Sequence, residues 1–97
     1  MKILYTLLIS STLIGSAHAY QCPPFGPGHN VAGQAFTQGS VPYNGSTWNA
    51  QRPINIDPNN IASWDAPGSS PCSVYSPGSD CCTYQDSSGK YGILYIQ

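Results

Sequence analysis

After residue 19 the chain alternates short apolar runs with clusters of Gly, Pro, Ser, Asn and Asp. No stretch of about 12 residues joins a 3.6-residue apolar period to helix caps, so the pattern predicts strands and turns. The clearest strand is the closing run Lys90 to Gln97, whose β-branched and aromatic content suits a buried strand better than a helix of that length. Asp86-Ser87-Ser88-Gly89 reads as the turn before it, and Cys81-Cys82-Thr83-Tyr84 as the preceding strand. A third run, Cys72-Ser73-Val74-Tyr75, leads into Ser76-Pro77-Gly78-Ser79-Asp80, where Pro presets φ and Gly accepts the positive φ of a type II turn. Together these runs predict a C-terminal three-stranded antiparallel unit.

Upstream, Trp48 and the alternation of Ile54 and Ile56 predict a half-buried strand over Thr47 to Ile56, stopped by Asp57-Pro58-Asn59-Asn60. Ile61 to Trp64 begins the next strand, and Ala66 to Pro71 reads as a flexible connector into Cys72. Asn44-Gly45, after Val41 to Tyr43, is a hairpin dipeptide. Asn30 to Phe36 reads as a further short apolar patch. Tyr20 to Gly28 holds Pro23, Pro24 and Pro27, which lack backbone donors, and so predicts an extended, loosely ordered arm. The expected fold class is all-β: a small, loop-rich, disulfide-stapled β-sandwich or meander.

Met1 to Ala19 has the layout of a secretory leader, with Lys2, an apolar stretch from Ile3 to Ile14, and the small-residue cleavage site Ala17-His18-Ala19. The expected product is one extracellular domain from Tyr20 to Gln97. Its cysteines, Cys22, Cys72, Cys81 and Cys82, are then expected as disulfides, the usual supplement for a chain too short to be secure on its core alone. Four cysteines allow three connectivities. A bond between the adjacent Cys81 and Cys82 would force the peptide between them from its planar trans form, so each needs an outside partner. Neighbouring residues of a strand point to opposite faces. A Ser76 to Ser79 loop puts Cys72 and Cys81 on one face and favours Cys72 with Cys81 and Cys22 with Cys82; a change of one residue in that loop favours the other pairing.

From Tyr20 onward the chain carries Arg52 and Lys90 against Asp57, Asp65, Asp80 and Asp86, with no glutamate. That balance argues against nucleic acid and against an anionic membrane surface as partners. His29 is the only histidine after the leader, no G-x-S-x-G elbow is present, and three of the four aspartates sit beside turn residues, so no acid/base set or nucleophile is complete. Nor does any Cys/His spacing resemble a zinc site, and no cofactor is expected. Asn44-Gly45-Ser46 is an N-glycosylation sequon. Trp48, Trp64 and Tyr43, with Tyr75, Tyr84, Tyr91 and Tyr95, are candidates for a sugar-binding face, although in a core with no methionine and little leucine they serve first as packing.

Two resemblances follow from these residues. Asn59, Asn60 and Ser63 match part of the calcium motif of the βγ-crystallin family, with Trp64 where that motif ends in Ser; the expected reading is an Asx-rich turn with no metal. Tyr20-Gln21-Cys22 directly after the leader, and the Cys72-x8-Cys81 hairpin in the form Cys72-Ser73-Val74-Tyr75-Ser76, resemble the small cysteine-rich secreted proteins of filamentous fungi. That resemblance implies an effector-like protein that binds a host or extracellular protein and suppresses host defence. A cell-wall or glycan-binding module is the second expectation. The third, a small toxin or antimicrobial protein, lacks the basic amphipathic surface it would use.

Overall fold

The computed structural model describes residues 20–65, 67–72 and 78–96. The expected leader Met1 to Ala19, Ala66, the run from Ser73 to Tyr75, the Ser76-Pro77 part of the turn, and Gln97 lie outside the described residues. Six strands form one curled antiparallel sheet: β1 (Ser40–Tyr43), β2 (Ser46–Ala50), β3 (Ile61–Trp64), β4 (Ser70–Pro71), β5 (Asp80–Asp86) and β6 (Tyr91–Ile96). Their order is β1-β2-β6-β5-β3, with β4 pairing the start of β5. The fold is thus all-β and disulfide-stapled, built on one sheet rather than two stacked ones, with one short helix, α1 (Val31–Gln38).

The two tightest hairpins follow from local turn chemistry. Asn44 and Gly45 both have positive φ, 50° and 80°, the two-residue turn whose twist matches the β1 and β2 strands it joins. Between β5 and β6, Gly89 takes φ 93° and its amide donates to the Asp86 carbonyl. The register sets Cys82 opposite Leu94 and Tyr84 opposite Gly92, so Cys82, Tyr84, Leu94 and Ile96 share the buried face. Val41, Trp48 and Ala50 extend that face across β1 and β2.

The helix is not expected over Asn30 to Phe36, which reads in the sequence as a short apolar patch. Asn30 caps it, its Oδ1 accepting from the Gly33 amide at 3.0 Å while its Nδ2 donates to the Pro58 carbonyl at 2.7 Å. Gly39 closes it at φ 97°, its amide donating to the Ala35 carbonyl. Ala32, Ala35 and Phe36 lie buried against the sheet. At eight residues, with Gly33 and Thr37 inside, α1 is too short and too poor in helix formers to hold without that packing.

Three further expectations are corrected. The strand expected over Thr47 to Ile56 runs instead from Ser46 to Ala50 and does not reach Ile54 and Ile56, because Pro53 has no amide to continue the ladder. Ile56 is nonetheless buried, supplied to the core by an irregular segment. The connector before Cys72 is tied down: Ser70 and Pro71 pair with Cys81 and Asp80, two residues earlier than the expected strand. Its other end holds the N-terminal arm, which is not loose. The Cys22 amide donates to the Pro67 carbonyl and the Ser69 amide to the Tyr20 carbonyl, while Gln21 bridges Gly68. The arm's prolines act through their carbonyls, Pro24 accepting from the Ala32 amide at 2.9 Å and Pro23 from the Tyr84 hydroxyl at 2.7 Å.

Cys22 is bonded to Cys82 across 60 residues, and Cys72 to Cys81 across 9. Cys82 faces the core and Cys81 the opposite side, so the adjacent pair fastens the arm beneath the sheet and the β4 end above it. By loop-closure entropy the long bridge contributes about 4 kcal/mol and the short one about 2.5 kcal/mol. Replacing Cys22 and Cys82 together by Ala is therefore expected to lower stability by about 1.5 kcal/mol more than replacing Cys72 and Cys81. Urea unfolding of the two double variants measures the difference, and an equal or reversed ranking would show that the arm adds nothing to the folding unit. Gly92 is the second point of sensitivity. A Cβ there would stand 2.6 Å from Ile56 Cγ2 and 2.7 Å from the Phe36 ring, closer than packed carbons tolerate. Gly92→Ala is expected to destabilise by about 1–3 kcal/mol through overpacking, and an unchanged unfolding midpoint would contradict that packing.

Candidate functional site

The residues singled out from the sequence are dispersed. Trp48 is buried, 1% exposed, and packs edge-on to Tyr20 with ring centroids 6.3 Å apart. Tyr43 joins it around a small cleft with Gln21, Asn44 and Ser46. Trp64 stands apart, half-buried against Phe25 and Tyr84 at centroid distances of 5.0 and 6.1 Å. Tyr84 is fully buried, and that burial, then Tyr43, push its phenol pKa up, so it remains a hydrogen-bond donor. These rings form core and flank, not one binding face. Asn44 is exposed at the β1–β2 turn, its Nδ2 donating to Gln21 Oε1 at 3.1 Å.

Asn59 and Asn60 belong to a turn organised by Asp57. One Asp57 oxygen accepts from the Asn59 amide at 3.0 Å, and the other from Asn60 Nδ2 at 2.8 Å. Ser63 lies beyond them on β3, exposed. Among the described residues no group of three or more His, Cys, Asp or Glu is placed to hold a metal ion. The carboxylate that pattern reading missed is Asp86, buried where the Asp57 turn meets the β5–β6 turn. Its Oδ2 accepts from the Asp57 amide at 2.8 Å, and its Oδ1 from the Ser88 amide, the Ser88 hydroxyl and the Lys90 amide at 2.8–2.9 Å. Hydrogen bonds to the charged form, that from Asp57 first, outweigh burial and hold its pKa down at about 2. The Asp-Ser-Ser-Gly signal marked this turn but not that its first residue would anchor a second loop 29 residues away.

An open patch of surface chemistry lies where β2 leaves the sheet. The Gln51 amide still donates to the Ile93 carbonyl at 2.8 Å, but the chain then turns away through Arg52 and Pro53, whose peptide is cis. The start of β6 is left with no strand on that side. The space is an open cleft of about 590 Å³ lined by Gln51, Arg52, Asn55, Lys90, Tyr91 and Ile93, among others. Tyr91 is the most exposed large hydrophobic side chain described, at 60%. Arg52 and Lys90 are the only Lys or Arg among the described residues, and neither side-chain cation is in an ion pair there. No carboxylate lines the cleft.

No family model, curated protein or solved structure matches the chain. The functional reading therefore rests on this geometry.

What the arrangement can do is hold an anion beside a flat apolar surface. An arginine fork and a lysine ammonium supply charge, two side-chain amides supply donors and acceptors, and a phenol ring supplies a platform. Asp86 has a structural part in this, since its bond to the Lys90 amide fixes the turn from which Lys90 and Tyr91 emerge. Its depressed pKa gives a sign to the acid response. The stabilisation is fully present above the ordinary aspartate pKa of about 4 and is lost as pH falls through about 2. The melting temperature is expected to drop between these limits, and Asp86→Asn, which sets an amide N–H against backbone donors, is expected to be less stable at neutral pH and flatter across that window. Parallel pH profiles for the two proteins would show that Asp86 does not carry the acid sensitivity.

Proposed function

We propose that the chain is a secreted, effector-like protein that acts by binding an extracellular or host partner, not by catalysis. The observation that carries the reading is the open cleft at Arg52, Lys90 and Tyr91, which gathers both cations of the described residues beside an exposed ring. Asp57 and Asp86 accept hydrogen bonds that shape loops, and Trp48 and Tyr84 are buried. His29 stands exposed in the Gly26 to His29 turn, its amide donating to the Gly26 carbonyl. Two disulfides suit an oxidising compartment, and the leader pattern supplies the route there. The effector character, with suppression of host defence as its role, rests on the layout of leader, cysteines and terminal hairpin. A second reading, a wall-glycan module, is favoured by the exposure of Tyr91 beside two amides, a pairing of ring and polar rim that suits sugars.

Expression of the full chain in a eukaryotic secretory host tests the first part. The medium is expected to hold a product beginning at Tyr20 with no alkylatable thiol, and cell-retained protein with its leader attached would overturn the secretion. Depletion on insoluble pectate, chitin, cellulose or β-glucan, run beside affinity capture from host tissue, tests the second. A partner from either arm that is lost on Arg52→Gln with Lys90→Gln supports the cleft. A partner indifferent to both places the binding surface elsewhere.

A further inference from the structure

Resting on that binding reading, we propose that the cleft between Gln51–Asn55 and the start of β6 recognises a carboxylated sugar chain, an oligosaccharide of uronic acid residues, through Arg52, Lys90 and Tyr91.

Charge narrows the ligand first. From Tyr20 onward four aspartates outnumber two cations, so the molecule as a whole repels anions, yet both cations line this one cleft and no carboxylate joins them. Asp86, the acid nearest Lys90 in the chain, is buried with both oxygens accepting hydrogen bonds. A local positive site on a negative molecule selects a ligand of few, spaced charges. A nucleic acid, with a phosphate at every step, needs a basic stripe that two cations do not make. The planar guanidinium of Arg52 matches a carboxylate bidentately, and the Lys90 ammonium adds a point charge for a second one.

Shape and neutral chemistry narrow it further. Tyr91, 60% exposed and lining the cleft, offers a flat apolar surface for the C–H face of a pyranose. Gln51 and Asn55 each carry a carbonyl and an amide, the donor and acceptor pairing that neighbouring sugar hydroxyls use, with Gln51 Nε2 donating one of its two hydrogens to the Arg52 carbonyl at 3.3 Å. An acidic peptide would use the cations but has no need of that ring and those amides, and inorganic phosphate would use the cations alone. The site is held open by the fold. Pro53 keeps β2 from extending over it, and the Asp86 bond to the Lys90 amide fixes the turn that presents Lys90. The Arg52 guanidinium lies near the end of α1, its Nη2 3.6 Å from where a Cβ on Gly39 would lie.

The test is a calorimetric titration of the disulfide-intact protein, purified from the medium of a secretory host, with a hexamer of galacturonic acid. Its methyl ester, cellohexaose, an oligo-aspartate peptide and inorganic phosphate serve as comparison ligands. The hexamer is expected to bind and to lose affinity as salt rises. The methyl ester and cellohexaose are expected not to compete. Arg52→Gln is expected to weaken binding roughly tenfold, the scale of one charge-assisted hydrogen bond, and Lys90→Gln about threefold. Tyr91→Ala is expected to weaken it with no change in melting temperature, since that ring is not part of the core. Lys90→Arg is expected to retain binding. Equal affinity for the methyl ester or cellohexaose would overturn the role of the charges, and equal affinity for the peptide or phosphate would overturn the sugar. If the hexamer does not bind while a host partner is still captured by the Arg52→Gln and Lys90→Gln proteins, this inference fails and the binding reading stands. If nothing is captured in either form, both fail.

Discussion

The buried hydroxyl of Tyr84 sets the terms for the rest of the molecule. It lies in the core with one partner among the described residues, the Pro23 carbonyl of the N-terminal arm, and leaving such a donor unpaired costs about 1–3 kcal/mol. The sheet therefore closes only with the arm beneath it. Two residues along β5, Cys82 holds the same arm covalently, and Phe25, at the arm's far end, meets the Tyr84 ring edge-on at 6.1 Å. The arm in turn supplies the Pro24 carbonyl to the first turn of α1, and α1 delivers Phe36 to the Tyr84 ring at 5.8 Å, again edge-on. A proline-rich segment whose only strand-like pairing among the described residues is the bridge at Gln21 thus serves as the floor on which both helix and sheet rest.

What the sequence makes legible here is local. Asn44-Gly45, Asp86 to Gly89 and the alternation of β5 and β6 each follow from the conformational limits of a few adjacent residues. The separate partners of Cys81 and Cys82 follow in the same way, since planarity of one peptide and alternation of strand faces divide the two sulfurs between opposite sides. The helix escaped because its length falls under the window in which 3.6-residue periodicity can be distinguished, and because Gly33, needed so that the Asn30 side chain can reach the Pro58 carbonyl, lowers its propensity. Its caps were nonetheless on the page, Asn30 before it and Gly39 after.

The candidate site was less legible than the fold. Arg52 and Lys90 are 38 positions apart, and nothing in either neighbourhood announces the other. They meet because β2 pairs with β6 at Asn49 and Ala50 and then departs, a consequence of register and of one proline. Likewise Asp86 reads as a turn residue, and its bond to the Asp57 amide is a tertiary event. Trp48, Trp64 and Tyr43 drew notice as aromatics, yet ring chemistry alone does not separate a packing residue from a platform. Tyr91, at the first position of β6 and pointing away from the core, is separated only by strand parity and by the lack, among the described residues, of a strand on the side of β6 away from Gln85.

The two outer strands of the sheet bear on how such a molecule behaves when crowded. β1 is four residues long and carries Pro42, which offers no amide to a newcomer; β3 is also four residues long and its pairing slips between Ile61 and Ser63. Neither margin presents the long, flat ladder on which another chain can add. A small, weakly charged, aromatic-rich protein has few other defences against fibrillar self-assembly, and blunted margins of this kind oppose strand-by-strand addition of one copy to the next.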